Sequence, residues 1–241
     1  SLINKIQSKI KSNIFLDYDM RKSTWFRAGG NALGYVIVNS ISDLKTIISY
    51  SDQIKYYIVG VGSNLMVRDG GFNGLIIKLG KNFNKIKINN DTLSVGAGVL
   101  DVNLAKFALK NLIKDFEFFS GIPGTIGGAI KMNAGCYGSQ TADNLKRILV
   151  INKLGKIKYL TKDELALKYR SSNLTDELIV LKADFSCQYS SASEIIEKKN
   201  YIKFKRESSQ PIKEKTSGST FKNPSGKYAA VLIEKAGCKG M

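Results

Sequence analysis

The pattern of apolar and polar positions divides this chain into short elements. Leu2, Ile3, Ile6 and Ile10 recur at helical spacing and predict a helix over 1–11. A strand is expected over 32–38. Ser40 or Ser42 then caps a helix to Tyr50. The apolar run 55–59 predicts a strand ending in Val59-Gly60-Val61-Gly62-Ser63-Asn64. Short strands are expected over 75–78, 85–88 and 92–95, with Asn89-Asn90-Asp91 as a turn. Asp101 caps a helix to Lys110. A hairpin joins 148–152 to 156–160, and 179–185 is a further strand. Thr161-x-x-Glu164 and Ser191-x-x-Glu194 are capping boxes that each start a helix, the second running to about Glu207. A last helix covers 228–236, with Gly237 as its C-cap. Strands interspersed with helices, and no internal repeat, predict an α+β or mixed-sheet protein.

Composition narrows the functions. A hydrophobic content of 43% supports a real core. No apolar run approaches the ~20 residues of a membrane span, so no membrane insertion is expected. The first twelve residues lack a signal-peptide core, and a cytoplasmic location follows as the default. Net charge of +17 favours anionic partners. The lysines are scattered without a block of five or six, and no nucleic-acid motif accompanies them, so no nucleic acid is expected. Histidine is absent, which removes His-based triads and H-E-x-x-H zinc sites. Cys136, Cys187 and Cys238 form no C-x-x-C pair, so neither a metal site nor a disulfide framework is expected.

Two glycine-rich loops carry the candidate chemistry. The first is 59–64. The second is Gly121-Ile122-Pro123-Gly124-Thr125-Ile126-Gly127-Gly128-Ala129, followed by Asn133-Ala134-Gly135. Glycine lets a backbone approach a ligand closely, and successive N–H groups form concave anion sites. A lone Gly-x-Gly is more often a tight turn. Two such loops in one chain point instead to a long diphosphate ligand held from two sides. A Rossmann site needs G-x-G-x-x-G, yet Leu65 stands in the third glycine's place, and Asp101 does so after Gly96-Ala97-Gly98. The P-loop pattern is absent.

Further motifs, in order along the chain, are Thr24-Trp25-Phe26-Arg27-Ala28-Gly29-Gly30, Tyr169-Arg170-Ser171-Ser172 and Gly218-Ser219-Thr220-Phe221-Lys222-Asn223-Pro224. With the two loops, they resemble the UDP-N-acetylenolpyruvoylglucosamine reductase family over about residues 15–241. The resemblance implies a two-subdomain FAD-binding region of the vanillyl-alcohol oxidase type plus an incomplete α/β substrate domain. It implies a first FAD-binding subdomain over 1–54, a second over 55–188 and a substrate domain over 189–241. It implies NADPH-dependent, FAD-mediated reduction of a UDP-sugar enolpyruvyl ether in peptidoglycan precursor synthesis, by a monomer. Cofactor contacts would fall on Gly60, Gly62, Ser63, Asn64, Leu65, Gly121, Pro123, Gly124, Thr125, Gly127, Gly128, Asn133, Ala134 and Gly135. Arg170 would steady charge on the substrate carboxylate, and Ser219 would deliver a proton. Tyr169, Lys222 and Asn223 would bind the nucleotide-sugar. The family's catalytic glutamate lies beyond residue 241, so the chain is expected to be C-terminally truncated, to bind FAD and to turn over poorly. Rival readings are a flavin oxidase on the same fold, a non-catalytic flavin-binding remnant and a basic nucleic-acid binder.

Overall fold

A computed structural model describes residues 1–209 and 220–240. The first layer is a four-stranded sheet with order β1-β2-β4-β3. Its strands are β1 (Ile14–Asp19), β2 (Asn31–Val38), β3 (Tyr56–Val59) and β4 (Phe72–Leu79). β1 runs antiparallel to β2, whereas β4 is parallel to both β2 and β3. Helices α1 (Leu2–Gln7) and α2 (Ile41–Ile48) cover one face, burying Ile3, Ile6, Leu44 and Ile48 against Val36, Val38, Leu75 and Ile77. A carboxylate fixes that packing: Ser12 donates its N–H (2.8 Å) and its hydroxyl (2.6 Å) to Asp43 Oδ2, and Ser40 caps α2 through the Asp43 amide.

The second layer is a five-stranded antiparallel sheet with order β10-β9-β11-β6-β5. It contains β5 (Ile86–Asn89), β6 (Thr92–Gly96), β9 (Leu145–Asn152), β10 (Ile157–Thr161) and β11 (Leu178–Ser186). Between β6 and β9 lie α3 (Asp101–Lys110), α4 (Ile126–Lys131) and the small ribbon β7 (Gly135–Cys136) with β8 (Ser139–Gln140). Phe116, Phe118 and Phe119 stack in the core beside α3, and Phe185 meets Phe116 and Phe119 edge to face. Aromatic pairs of this kind add about 0.5–1.5 kcal/mol each beyond area burial.

α5 (Ala192–Ser209) leaves the second layer and packs back on it through Ile195 and Ile202, both almost fully buried. Lys198 reinforces that contact, 2.8 Å from Asp115 and 3.4 Å from Glu117. α6 (Ala229–Lys235) has no buried residue.

Three sequence expectations change. Sheet pairing carries the first layer through Leu79, so the expected boundary at residue 54 falls inside it, between α2 and β3. The N-terminal helix ends at Gln7 rather than Lys11. The Thr161 capping box forms, with the Thr161 N–H donating to Glu164 (2.7 Å), but left-handed Ala166 stops the helix after a single turn over Asp163–Leu165. β1 has no counterpart in the sequence reading, because Asp17 takes a positive φ of 47° and breaks the alternation.

Candidate functional site

The first loop leaves β3 at Val59 and turns on Gly62, which has φ +69°. Only glycine adopts that conformation without strain. A Cβ there would also overlap the Ser23 carbonyl, because 23–25 lies directly on the loop. The Trp25 N–H donates to Gly62 O (3.0 Å), sealing the contact. Among the described residues, no acceptor takes the backbone N–H of Val61, Gly62, Ser63 or Asn64. Unpaired amides in succession make an anion-binding concavity. Leu65 turns its side chain the other way, into the cluster of Met20, Tyr35 and Ile76.

The second loop is sewn to the start of α3. Asp101 N–H donates to Gly124 O (3.0 Å) and Ile126 N–H to Val99 O (3.0 Å), pairing Leu100 with Thr125. Gly127 N–H adds a bond to Ala97 O (2.8 Å), and the chain then enters α4. The two loops touch each other: a Cβ on Gly60 would stand 2.5 Å from Thr125 Oγ1. Gly128 has only Thr125 Oγ1 (3.7 Å) near its Cβ position, so its outer side is open. Helix N-termini and glycine loops of this kind favour anions.

Beside the loops runs a cleft of about 290 Å³. Apolar side chains of Trp25, Val61, Leu100, Val102, Ile122 and Pro123 form its walls, with Arg206 at one side. Its size matches the ~300 Å³ lower end of ligand pockets. It takes one ring system of a dinucleotide rather than the whole molecule. Amide cradle and apolar cleft together fit a flavin dinucleotide.

Beneath the second loop lies Asp101, fully buried. It is the first residue of α3 and not its cap, since Leu100 holds the cap position and the Asp101 carboxylate bonds nothing at the helix start. Neither of its carboxylate oxygens has a hydrogen-bond partner, and Oδ2 stands 2.5 Å from where a Gly124 Cβ would be. Burial alone pushes its pKa up to about 8, so it is a neutral acid at pH 7.

Asn133, Ala134 and Gly135 lie behind the second loop. The Asn133 amide is buried and spent on protein: its Nδ2 donates to Gln140 (2.9 Å) and Lys168 O (3.2 Å), and its Oδ1 accepts from Ala142 N–H (3.0 Å). Its side chain braces the ribbon instead of facing a ligand. Ala134 packs on the core, and Gly135 pairs with Gln140. Gly121 O accepts from Arg206, whose side chain returns from α5.

Arg170 sits in a tight turn, at φ +54°, between the mutual backbone bonds of Lys168 and Ser171. Its Nη2 donates to Gly135 O (2.9 Å), and Tyr169 lies 5.2 Å from the guanidinium. Ser172 Oγ anchors the turn to Lys131 O at the end of α4 (2.7 Å). Burial pushes the Cys136 thiol up to about 11, against the pull of Arg206 and Arg170, so it stays protonated at neutral pH. Ser219 lies outside the described residues. Lys222 is exposed, and Asn223 Oδ1 accepts from the Ala229 N–H (3.0 Å), steadying the start of α6.

Arg206 and Trp25 are among the cleft residues to which the sequence reading gave no role, with Leu100, Val102 and Ser120. Arg206 carries no local signal, since it reaches Gly121 across 85 positions. Trp25 stood in a motif whose function was undefined.

The two layers, the amide cradle and the adjoining cleft define an FAD-binding protein, and the FAD binding domain family matches residues 32–161. The C-terminal domain of UDP-N-acetylenolpyruvoylglucosamine reductase matches 210–241. The reductase of Rickettsia typhi is 45% identical over 232 residues, spanning 96% of this chain and 79% of that protein. That of Rickettsia prowazekii is 44% identical over the same spans. The crystal structure of the Thermus caldophilus reductase superposes with a TM-score of 0.84 at 31% identity, over 96% of this chain and 82% of that one. At 17% identity and a TM-score of 0.56, 6-hydroxy-D-nicotine oxidase shares the fold alone. The chain belongs to the UDP-N-acetylenolpyruvoylglucosamine reductase family.

Proposed function

We propose that this chain reduces the enolpyruvyl ether of UDP-N-acetylglucosamine enolpyruvate to UDP-N-acetylmuramate, using NADPH, in peptidoglycan precursor synthesis. The observation that carries the reading is the run of amides over 61–64, unpaired among the described residues, with Gly60 set against Thr125 and an apolar cleft alongside. When bound there, FAD supplies the hydride, drawn from NADPH. The amides hold the diphosphate, and the cleft keeps water from the ring.

Arg170 receives the substrate carboxylate. A guanidinium forks onto a carboxylate bidentately and stays charged at any working pH. Its bond to Gly135 O fixes one nitrogen and leaves the rest of the fork for the anion. Addition of hydride to a vinyl carboxylate develops negative charge at the adjacent carbon, which Arg170 stabilises. Ser219 then protonates that carbon. A serine hydroxyl is a weak acid, but a forming carbanion is basic enough to take its proton, and such help is worth about 10²–10⁴-fold. Tyr169, Lys222 and Asn223 bind the nucleotide-sugar, and the reaction belongs to the cytoplasm. The segment from α5 onward is the substrate-binding part, acting in a monomer.

Stopped-flow measurement of Ser219→Ala tests the assignment. Flavin bleaching by NADPH should persist at the wild-type rate while substrate-driven reoxidation is lost. Unimpaired turnover in that variant removes Ser219 from the mechanism. NADPH-dependent loss of the enolpyruvyl group in the unaltered chain tests the activity itself, and fast reoxidation by oxygen without substrate would favour an oxidase instead.

A further inference from the structure

We propose that Trp25 is a cofactor-ring contact in this chain, its indole closing the cleft over the isoalloxazine of bound FAD. The inference rests on the FAD reading above and adds a residue to it. Trp25 is held in place by backbone rather than by a core. Its N–H donates to Gly62 O (3.0 Å), and 23–25 is pressed onto Gly62 so closely that no other residue fits at position 62. Yet its side chain is not packed away. Trp25 remains 46% exposed, while its ring forms one wall of the apolar cleft. A large aromatic ring fixed at its root and bare on its face is suited to packing on a planar ligand. The rest of the lining is mostly apolar, with Val61, Leu100, Val102, Ile122 and Pro123, and Arg206 as its charged member.

The cleft lies at the reacting end of the dinucleotide, not the adenine end. Arg206 lines it and donates to Gly121 O. The Cβ position of Gly121 lies 3.4 Å from Cys136 Sγ, and Arg170 donates to Gly135 O, one residue before that cysteine. The cleft and Arg170 are thus joined through Gly121 and Cys136. The ring that works on a substrate held by Arg170 must sit on this side.

Trp25 is the single tryptophan of the chain, and it is half exposed, so its replacement leaves the core untouched. An indole in contact with an isoalloxazine quenches flavin emission. The test compares emission of protein-bound FAD in the unaltered chain, Trp25→Phe and Trp25→Leu, at saturating FAD. Bound flavin should be dark in the unaltered chain and severalfold brighter in both variants. FAD should bind about tenfold more weakly to Trp25→Leu, the scale of one lost aromatic stack. Equal emission in all three proteins overturns the proposal and leaves the FAD reading standing. Weaker binding with unchanged emission also overturns it, placing the indole on the adenine. Failure of the unaltered chain to bind FAD overturns both readings.

Discussion

The two glycine loops, which we propose hold one ligand, are shaped by different physical means. The first is shaped by stereochemistry. Gly62 is left-handed and wedged under the Ser23 carbonyl, and the amides after it are left open. The second is shaped by attachment. Backbone bonds to Val99, Ala97 and Asp101 hold it to α3 and β6, and a buried acid without partners lies below it. A loop of the first kind fails when one Cβ is added. A loop of the second kind is sensitive to what is hidden beneath it.

The largest effect is expected at Gly62. Gly62→Ala combines an unfavourable φ with overlap on the Ser23 carbonyl, so 23–25 and the loop must part. Strain of this sort costs on the order of 1–3 kcal/mol. FAD affinity should fall about 100-fold or more, with a lower melting temperature. FAD titration and thermal unfolding check both. Wild-type affinity would mean that the loop does not need its observed shape.

The next effect concerns Asp101. Its folded pKa of about 8 lies above the ordinary carboxylate value of 3.8. Between those values the unfolded chain has lost this proton and the folded chain keeps it. Stability therefore declines as pH rises through that window, by about 1.4 kcal/mol per unit at most, and levels off above pH 8. Asp101→Asn lacks that slope. Its stability relative to the unaltered chain should climb from pH 4 to pH 8, measured by denaturant unfolding at stepped pH. Parallel curves for the two proteins would mean that Asp101 is solvated or paired.

A smaller effect should follow from Gly60→Ala. The added methyl meets only the Thr125 side chain, so the two loops separate slightly without a forbidden φ. FAD affinity should drop about tenfold, a shift of about 1.4 kcal/mol, readable in the same titration. Removing the Thr125 hydroxyl and methyl in Gly60→Ala/Thr125→Ala should restore part of it. If the single variant binds as tightly as the unaltered chain, the loops do not need their mutual contact.

These contrasts mark what the sequence could and could not reveal. Both glycine loops were legible as loops, because glycine spacing is local, whereas Tyr169-Arg170-Ser171-Ser172 stood out only as a motif and its turn was not foreseen. The helix over Asp101–Lys110 and the hairpin of β9 and β10 were legible from periodicity. β1 was not, since Asp17 interrupts its alternation with a positive φ. The extent of the first sheet was hidden as well, because parallel pairing of β4 with β2 and β3 depends on contacts distant in sequence. In the site, Asn133 looked like a ligand contact by its place among glycines, yet its amide is consumed by the ribbon it braces. Arg206 was invisible for the opposite reason, as its role comes only from α5 folding back on Gly121.

The measurement that tests the account most directly is titration of flavin-free protein with FAD, followed by heat release of the bound flavin. One FAD per chain should bind, the protein should turn yellow, and Gly62→Ala should stay colourless at the same concentration. A protein that remains colourless in excess FAD would contradict the claim that the two loops grip a flavin dinucleotide.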